Sequence, residues 1–162
     1  MRNAPIDHLP IFVYGTLLPD QPNAHLWQGE VMTILPARLP AATLYNMGYY
    51  PMLIETGTVP VYGCCLVVQP ASYEMVLARL DHLEGVDMDR PEKAGYRRVR
   101  REVELENGRF CSAWLYLGHP RFVVGRPVIA TGRWAEYIAG QDKSGQKWWS
   151  DVDSVGGHFD KK

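Results

Sequence analysis

The sequence has few cysteines, no long hydrophobic run and no excess of charge of one sign. Its three cysteines, Cys64, Cys65 and Cys111, are an odd number with two adjacent, which is not the pattern of a secreted disulfide framework. The longest apolar stretch, residues 59–68, contains proline and glycine and is too short to cross a bilayer. We therefore expect a protein of the reducing cytoplasm that has no membrane partner.

Metal-binding and nucleic-acid-binding patterns are also missing. The chain contains neither a C-x-x-C nor an H-E-x-x-H spacing, so no metal site is expected. The 17 lysines and arginines are balanced by 18 acidic residues, which leaves a formal net charge of -1. The one basic run, residues 97–101, contains no aromatic residue and is typical of a solvated strand face. We expect no nucleic-acid partner.

The composition is that of an ordinary globular domain. The chain has 162 residues, of which 46% are hydrophobic and 22% are charged. That length predicts one domain over residues 1–162, with a polar tail from about residue 140. Its 15 glycines and 12 prolines are scattered between short apolar segments, as in a β-rich protein.

The local patterns predict several strands and one strong helix. Ser72 can cap the helix at residues 72–83, and Gly85 stands where a C-terminal glycine belongs. Asn107-Gly108 joins two alternating runs and predicts a β-hairpin. Without strict alternation of strands and helices, the fold class is α+β. The other predicted elements are strands at residues 11–14, 41–45 and 62–68, hairpin strands at 98–105 and 110–117, and a short helix at 134–139.

One carboxylate falls close to the apolar stripe of the predicted helix. At about 100° per residue, Glu84 lies roughly 45° from the centre of a stripe that runs between Tyr73 and Leu80. Asp81 lies one turn earlier. Burial, the neighbouring carboxylate and the negative end of the helix dipole would all raise the pKa of Glu84. A carboxyl group with a raised pKa can both accept and donate a proton near neutral pH.

A structural role for Glu84 is the competing interpretation. The carboxylate could pair with Arg97 or Arg98, or it could point to solvent because the last turn of a helix frays. The helical pattern alone favours this structural role over a catalytic one.

A glycine-containing loop directly follows the first predicted strand. In Tyr14-Gly15-Thr16-Leu17, Gly15 permits a positive φ and a close backbone approach. Successive free N–H groups in such a loop can bind a carboxylate or a phosphate. An ordinary turn is the alternative reading of the same residues.

Several short motifs form an ordered series along the chain. They are Phe12-Val13-Tyr14-Gly15-Thr16-Leu17 with Asn23 downstream, Gly48-Tyr49-Tyr50-Pro51, Val61-Tyr62-Gly63-Cys64, Leu80-Asp81-His82-Leu83-Glu84-Gly85, Tyr96-Arg97-Arg98 and Ala113-Trp114-Leu115-Tyr116. In content and order the series resembles the γ-glutamylcyclotransferase-like family, over roughly residues 12–137.

The resemblance implies a fold, a reaction and a site. The fold is a small mixed β-sheet curled toward a barrel, with flanking helices and a pocket at one end. The reaction releases 5-oxoproline and an amine from a γ-glutamyl compound, and needs no cofactor. By this resemblance Glu84 is the acid/base residue, and the backbone of Gly15, Thr16 and Leu17 binds the substrate carboxylate. Tyr14, Tyr50 and Tyr116 become pocket walls or hydroxyl donors, although core packing explains Tyr116 equally well.

Three functions fit these residues. The first is cyclotransfer on a γ-glutamyl amine or γ-glutamyl amino acid, the second is hydrolysis of the same bond, and the third is non-catalytic binding of a small carboxylate. An acidic side chain beside a carboxylate-binding loop would weaken simple binding, so Glu84 favours an enzyme. The leaving group and the oligomeric state stay open at this point.

Overall fold

Five strands close into a barrel in the computed structural model, which describes residues 8–87, 89–90, 94–141, 148–152 and 154–155. The order around the barrel is β1-β3-β2-β4-β5. Neighbouring strands are antiparallel except for β1 and β5, which are parallel and close the barrel. The strands are β1 (Ile11–Val13), β2 (Val31–Asn46), β3 (Pro51–Val68), β4 (Tyr96–Leu105) and β5 (Phe110–Gly118). The α+β class and the mixed sheet curled into a barrel are confirmed.

Strands β2 and β3 are much longer than the sequence predicts. Prolines and glycines in this region read as strand ends, yet the sheet continues through them. The register of β2 against β3 shifts between Leu39 and Ala42, around Pro40, and again between Ala42 and Thr43. Prolines are tolerated in sheets at such irregularities, because the missing N–H is not required for pairing there. The predicted strands at residues 41–45 and 62–68 are therefore parts of one long hairpin.

Helix α1 (Tyr73–Glu84) packs one face against the barrel. Gly85 has a φ of 70°, and its N–H donates to the His82 carbonyl at 3.1 Å. The N–H of Val86 donates to the Asp81 carbonyl at 3.0 Å, which completes a Schellman motif. The helix therefore ends at Glu84. The predicted cap bond of Ser72 is wrong, because its hydroxyl donates to the Glu30 carboxylate at 2.6 Å instead.

Two apolar clusters cover the two faces of the barrel wall. One contains the buried face of α1 and Cys64, and the other contains Cys65 and Trp134 of helix α2 (Trp134–Ala139). Adjacent strand residues point to opposite faces, so Cys64 and Cys65 fall in different clusters. The β4–β5 hairpin and helix α2 are also confirmed. Within the described residues, no helix is long and apolar enough to span a membrane.

Candidate active site

A single cavity brings together every residue that the sequence singled out for the site. It lies where β1, the first residues of β3 and the C-terminal end of α1 meet. Side chains and backbone from distant parts of the chain therefore face one small space. The predicted members of its lining are Tyr14, Gly15, Thr16, Leu17, Tyr50, Glu84 and Tyr116, and the others are Phe12, Val13, Pro51, Tyr96, Trp149 and Val155.

Glu84 is the one acidic residue in this lining. Its side chain is half-buried, and in the part of the chain that the structure describes it has no hydrogen-bond or ion-pair partner. Burial, and secondly the negative charge of Asp81, raise the pKa of Glu84 to about 8. A carboxyl group in this state holds a proton at neutral pH and exchanges it readily.

Asp81, and not Glu84, is the acidic residue of α1 that forms an ion pair with β4. Arg98 Nε donates to Asp81 Oδ1 at 2.9 Å, and Arg98 Nη2 donates to Oδ2 at 3.3 Å. The Tyr116 hydroxyl donates to the same Oδ1 at 2.7 Å. The alternative in which Arg98 pairs with Glu84 is therefore not what the fold adopts. Arg98 joins β4 to α1 through Asp81, and Glu84 keeps its carboxyl toward the cavity.

The loop after β1 is fixed by hydrogen bonds that use its carbonyls and leave its amides available. Leu18 N–H donates to the Gly15 carbonyl at 3.0 Å, and Asn23 N–H donates to the Thr16 carbonyl at 2.9 Å. The Thr16 hydroxyl accepts from Asn23 Nδ2 at 3.0 Å. Among the described residues, the N–H groups of Gly15, Thr16 and Leu17 have no acceptor. Three such amides at one end of a cavity suit an anionic ligand group.

Gly15 is required by a close contact rather than by an unusual backbone angle. Its φ is not among the positive values of the chain, so the freedom expected from the sequence is not used. A Cβ atom at this position would lie 2.6 Å from Pro51 Cγ. Because a proline ring cannot swing away, only glycine lets the loop sit this close to the start of β3.

Tyrosines form the walls of the cavity, and the hydroxyls of two of them donate to backbone carbonyls. Tyr14 donates to the Tyr116 carbonyl at 2.5 Å, and Tyr96 donates to the Pro51 carbonyl at 2.6 Å. Burial, followed by the charge of Glu84, raises the pKa of both phenols well above the ordinary value. These phenols therefore stay protonated and serve as walls. Tyr96 lies in the Tyr-Arg-Arg motif, but sequence reasoning gave it no place in the site.

Trp149 and Val155 are the members of the lining that lie outside every motif of the series identified in the sequence. Trp149 packs back onto the domain and is buried at 7% exposure. Its indole also faces the cavity. An adjacent pair of tryptophans in an otherwise polar tail was the available signal.

A metal centre finds no support in the described residues, which contain no group of three histidine, cysteine or acidic side chains placed to hold an ion. The cysteines are free, and burial raises the pKa of Cys64 to about 11. At neutral pH this thiol is not ionised.

Comparison with known proteins places the chain in a family. A 29% identical relative, the gamma-glutamylcyclotransferase family protein YtfP of Citrobacter rodentium, matches over 126 residues, which are 78% of this chain and 95% of that protein. The solution structure of Escherichia coli YtfP is 26% identical, has a TM-score of 0.53, and covers 80% of this chain and 98% of its own. The crystal structure of YkqA from Bacillus subtilis, at 23% identity and a TM-score of 0.59, shares the fold over 80% of this chain and 40% of its own.

The sequence profile of one family covers most of the chain. It is described as "Gamma-glutamyl cyclotransferase, AIG2-like" and matches residues 11–136, a range that includes β1, α1 and Glu84. Together with the barrel and the cavity, this match shows that the chain belongs to the AIG2-like gamma-glutamyl cyclotransferase family.

Proposed function

We propose that the protein converts a γ-glutamyl amine or γ-glutamyl amino acid into 5-oxoproline and the free amine. The observation that carries this proposal is the Glu84 carboxyl, which opens into the cavity, has no partner in the described part of the chain, and has a pKa of about 8. Membership of the cyclotransferase family supports the same reaction class.

The reaction requires two proton transfers, and one carboxyl group can perform both. The substrate α-amine is largely ammonium at neutral pH and must lose a proton before its nitrogen can attack the γ-carbonyl carbon. The ionised form of Glu84, a minority at pH 7 because the pKa is about 8, accepts that proton as the new C–N bond closes the five-membered ring. Glu84 then donates a proton to the departing nitrogen while the original amide C–N bond breaks. Since the same carboxyl ends in its starting state, the cycle consumes no co-reactant.

The loop after β1 has the substrate-binding role in the proposed mechanism. The amides of Gly15, Thr16 and Leu17 bind the α-carboxylate of the glutamyl unit. The rings of Tyr14, Tyr50 and Tyr116 confine its carbon chain, so the α-amine is held near the γ-carbonyl. Ring closure is intramolecular, and holding the reactive geometry is worth several kcal/mol.

A panel of γ-glutamyl compounds, scored by mass spectrometry for 5-oxoproline, tests this function. Release of 5-oxoproline with a stoichiometric amount of amine is the expected result. Release of free glutamate would show that water attacks in place of the internal amine, which makes the protein a hydrolase. Binding without any product would assign the cavity to a non-catalytic carboxylate-binding protein.

Gly15→Ala is expected to raise KM at least tenfold, since the added methyl group pushes the loop off Pro51 and displaces the binding amides. The same clash lowers the melting temperature, so KM is measured well below it. Gly140→Ala is the matched control, because a Cβ there meets no atom closer than 3.7 Å. An unchanged KM in folded Gly15→Ala would place the carboxylate site elsewhere.

The cysteines are expected to be dispensable for turnover. Burial raises the pKa values of Cys64, Cys65 and Cys111, so none supplies a thiolate at neutral pH. Cys64→Ala, Cys65→Ala and Cys111→Ser, made singly, should each retain kcat when activity is expressed per folded molecule. Loss of kcat in any variant with a native circular dichroism spectrum would contradict the carboxylate mechanism.

A further inference from the structure

The C-terminal segment, residues 148–152 and 154–155, adds a wall to the cavity from outside the family match. The match ends at residue 136, yet Trp149 and Val155 line the same cavity as Glu84. In the Citrobacter rodentium relative, 95% of the protein is already accounted for by the aligned residues. This wall therefore lies outside the range of the family model.

Hydrogen bonds seat the segment directly beside the site. Trp149 Nε1 donates to the Tyr49 carbonyl at 2.9 Å, next to Tyr50 of the lining. At the other end, Val155 N–H donates to the Leu83 carbonyl at 2.8 Å, next to Glu84. The segment thus connects the turn before β3 with the last turn of α1, and it lies beside the proton-transferring carboxyl.

The position of the leaving group follows from the proposed function, on which this inference rests. The loop amides hold the α-carboxylate, and the departing nitrogen must come within hydrogen-bond reach of Glu84 to receive its proton. The substituent on that nitrogen therefore extends from the Glu84 region toward the C-terminal segment. With the segment seated, the cavity has about 20 Å³ of free volume, enough for one or two water molecules. A bound γ-glutamyl compound exceeds this volume, so the cavity walls must move apart to admit it, and the Trp149 indole then packs against the leaving group.

The chemistry of this wall favours an uncharged, apolar group. No lysine, arginine or histidine lines the cavity within the described residues. Arg98 is paired with Asp81, and Arg126 Nη1 donates to the Met47 carbonyl at 3.5 Å. Among the described residues of the lining, a carboxylate on the leaving group would have no cation to pair with, and it would lie near the Glu84 carboxyl. An aromatic or branched alkyl substituent would instead bury its surface against the indole.

We infer that Trp149 is a specificity-determining residue that forms the leaving-group subsite and makes the protein prefer γ-glutamyl derivatives of apolar, uncharged amines, aromatic ones above all. The proposed reaction allows both γ-glutamyl amines and γ-glutamyl amino acids as substrates, and this subsite distinguishes between them. Amino acids as leaving groups are disfavoured, and simple amines with a ring are preferred.

The test compares L-γ-glutamyl-benzylamide with L-γ-glutamyl-methylamide and L-γ-glutamyl-glycine. The wild-type protein is expected to favour the benzylamide over the methylamide by tenfold or more in kcat/KM, a ratio typical of a well-filled apolar pocket. Trp149→Ala should bring that ratio close to one while the kcat/KM for the methylamide stays within a few fold. Trp149→Phe keeps an aromatic wall and should preserve most of the preference. Phe110→Ala is the control, since Phe110 is an exposed aromatic residue that does not line the cavity.

Binding measurements separate this inference from the proposed reaction. Calorimetric dissociation constants for the same amides are measured on Glu84→Gln, with and without Trp149→Ala. If no 5-oxoproline forms but the benzylamide preference in binding depends on Trp149, the subsite stands and the proposed reaction fails. If 5-oxoproline forms and Trp149→Ala leaves the benzylamide ratio unchanged, or if the wild type prefers γ-glutamyl-glycine, the inference is overturned. Failure of both amides to bind overturns it as well.

Discussion

Glu84→Gln is expected to lower the release of 5-oxoproline by about 10²–10⁴-fold, the usual contribution of general acid–base catalysis. The amide keeps the size of the carboxyl but can neither accept nor donate the transferred proton. Because Glu84 has no partner among the described residues, the change breaks no contact that holds the fold. We expect the variant to fold and to bind γ-glutamyl ligands, measured by calorimetry on the preparation used for the activity assay.

Glu74→Gln provides the matched control for this substitution. Glu74 lies in the first turn of the same helix, is exposed and does not line the cavity. Its replacement should leave kcat and KM unchanged. Near-normal turnover in folded Glu84→Gln would contradict the proposed mechanism, and activity that falls only in proportion to the folded fraction would assign Glu84 a structural role.

The same variant is expected to be more stable than the wild type above neutral pH. The folded-state pKa of Glu84 is about 8, against an ordinary value of 4.5, so the folded state retains a proton that the unfolded state loses. Wild-type stability therefore falls as the pH rises from about 4.5 to about 8. Glutamine cannot ionise, so thermal melts across this range should show Glu84→Gln matching the wild type near pH 4 and exceeding it by several degrees at pH 8. Equal melting curves at both pH values would show that Glu84 is not held in its protonated form.

Asp81→Asn is expected to shift the pH profile of activity and to destabilise the fold. Asp81 is the second cause of the raised pKa of Glu84, so removing its charge lowers that pKa. The acid limb of kcat/KM, which reports the free enzyme, should then move below pH 8. The change also takes the charged partner from Arg98 and weakens the bond from Tyr116. For a partly buried, hydrogen-bonded charge this costs about 2 kcal/mol, or roughly 5 °C in melting temperature.

Arg98→Gln separates the loss of stability from the shift in the pH profile of activity. It breaks the same ion pair and should cost similar stability, but it leaves the Asp81 carboxylate beside Glu84. The acid limb in this variant should therefore stay at or above its wild-type position. A downward shift in Arg98→Gln, or no shift in Asp81→Asn, would show that Asp81 does not control the protonation of Glu84.

Local sequence signals located the parts of the site that lie on single elements. The position of Glu84 near the apolar face of α1 could be predicted from the apolar period and the glycine that ends the helix, whereas its acid/base role rested on the resemblance of the motifs. The loop after β1 could be predicted for the same reason. Which acid pairs with Arg98 could not, because that choice depends on how β4 packs across α1. The lengths of β2 and β3 were underestimated, since proline marks a strand end locally but is accommodated by shifts in register.

The place of Trp149 in the cavity could not be predicted from the sequence. Its indole bonds to the Tyr49 carbonyl across 100 positions of sequence, and no periodicity or spacing encodes a contact of that range. Its adjacency to Trp148 signals burial but says nothing about what the pair is buried against. Only the closed barrel, which brings the turn before β3 and the end of α1 together, determines where the segment can sit.

The C-terminal segment bonds to backbone carbonyls of the turn before β3 and of α1, and this affects how substrate preference can change between related proteins. Trp149, Ser154 and Val155 all donate to main-chain carbonyls, those of Tyr49, His82 and Leu83. A carbonyl is present whatever side chain a position carries, so the barrel needs no matching substitution when the segment changes. Under the proposed function, new substrate preferences can arise by mutation in the tail alone, while the residues proposed to perform the chemistry stay fixed. Exchanging tails between related barrels is then a direct route to engineered selectivity.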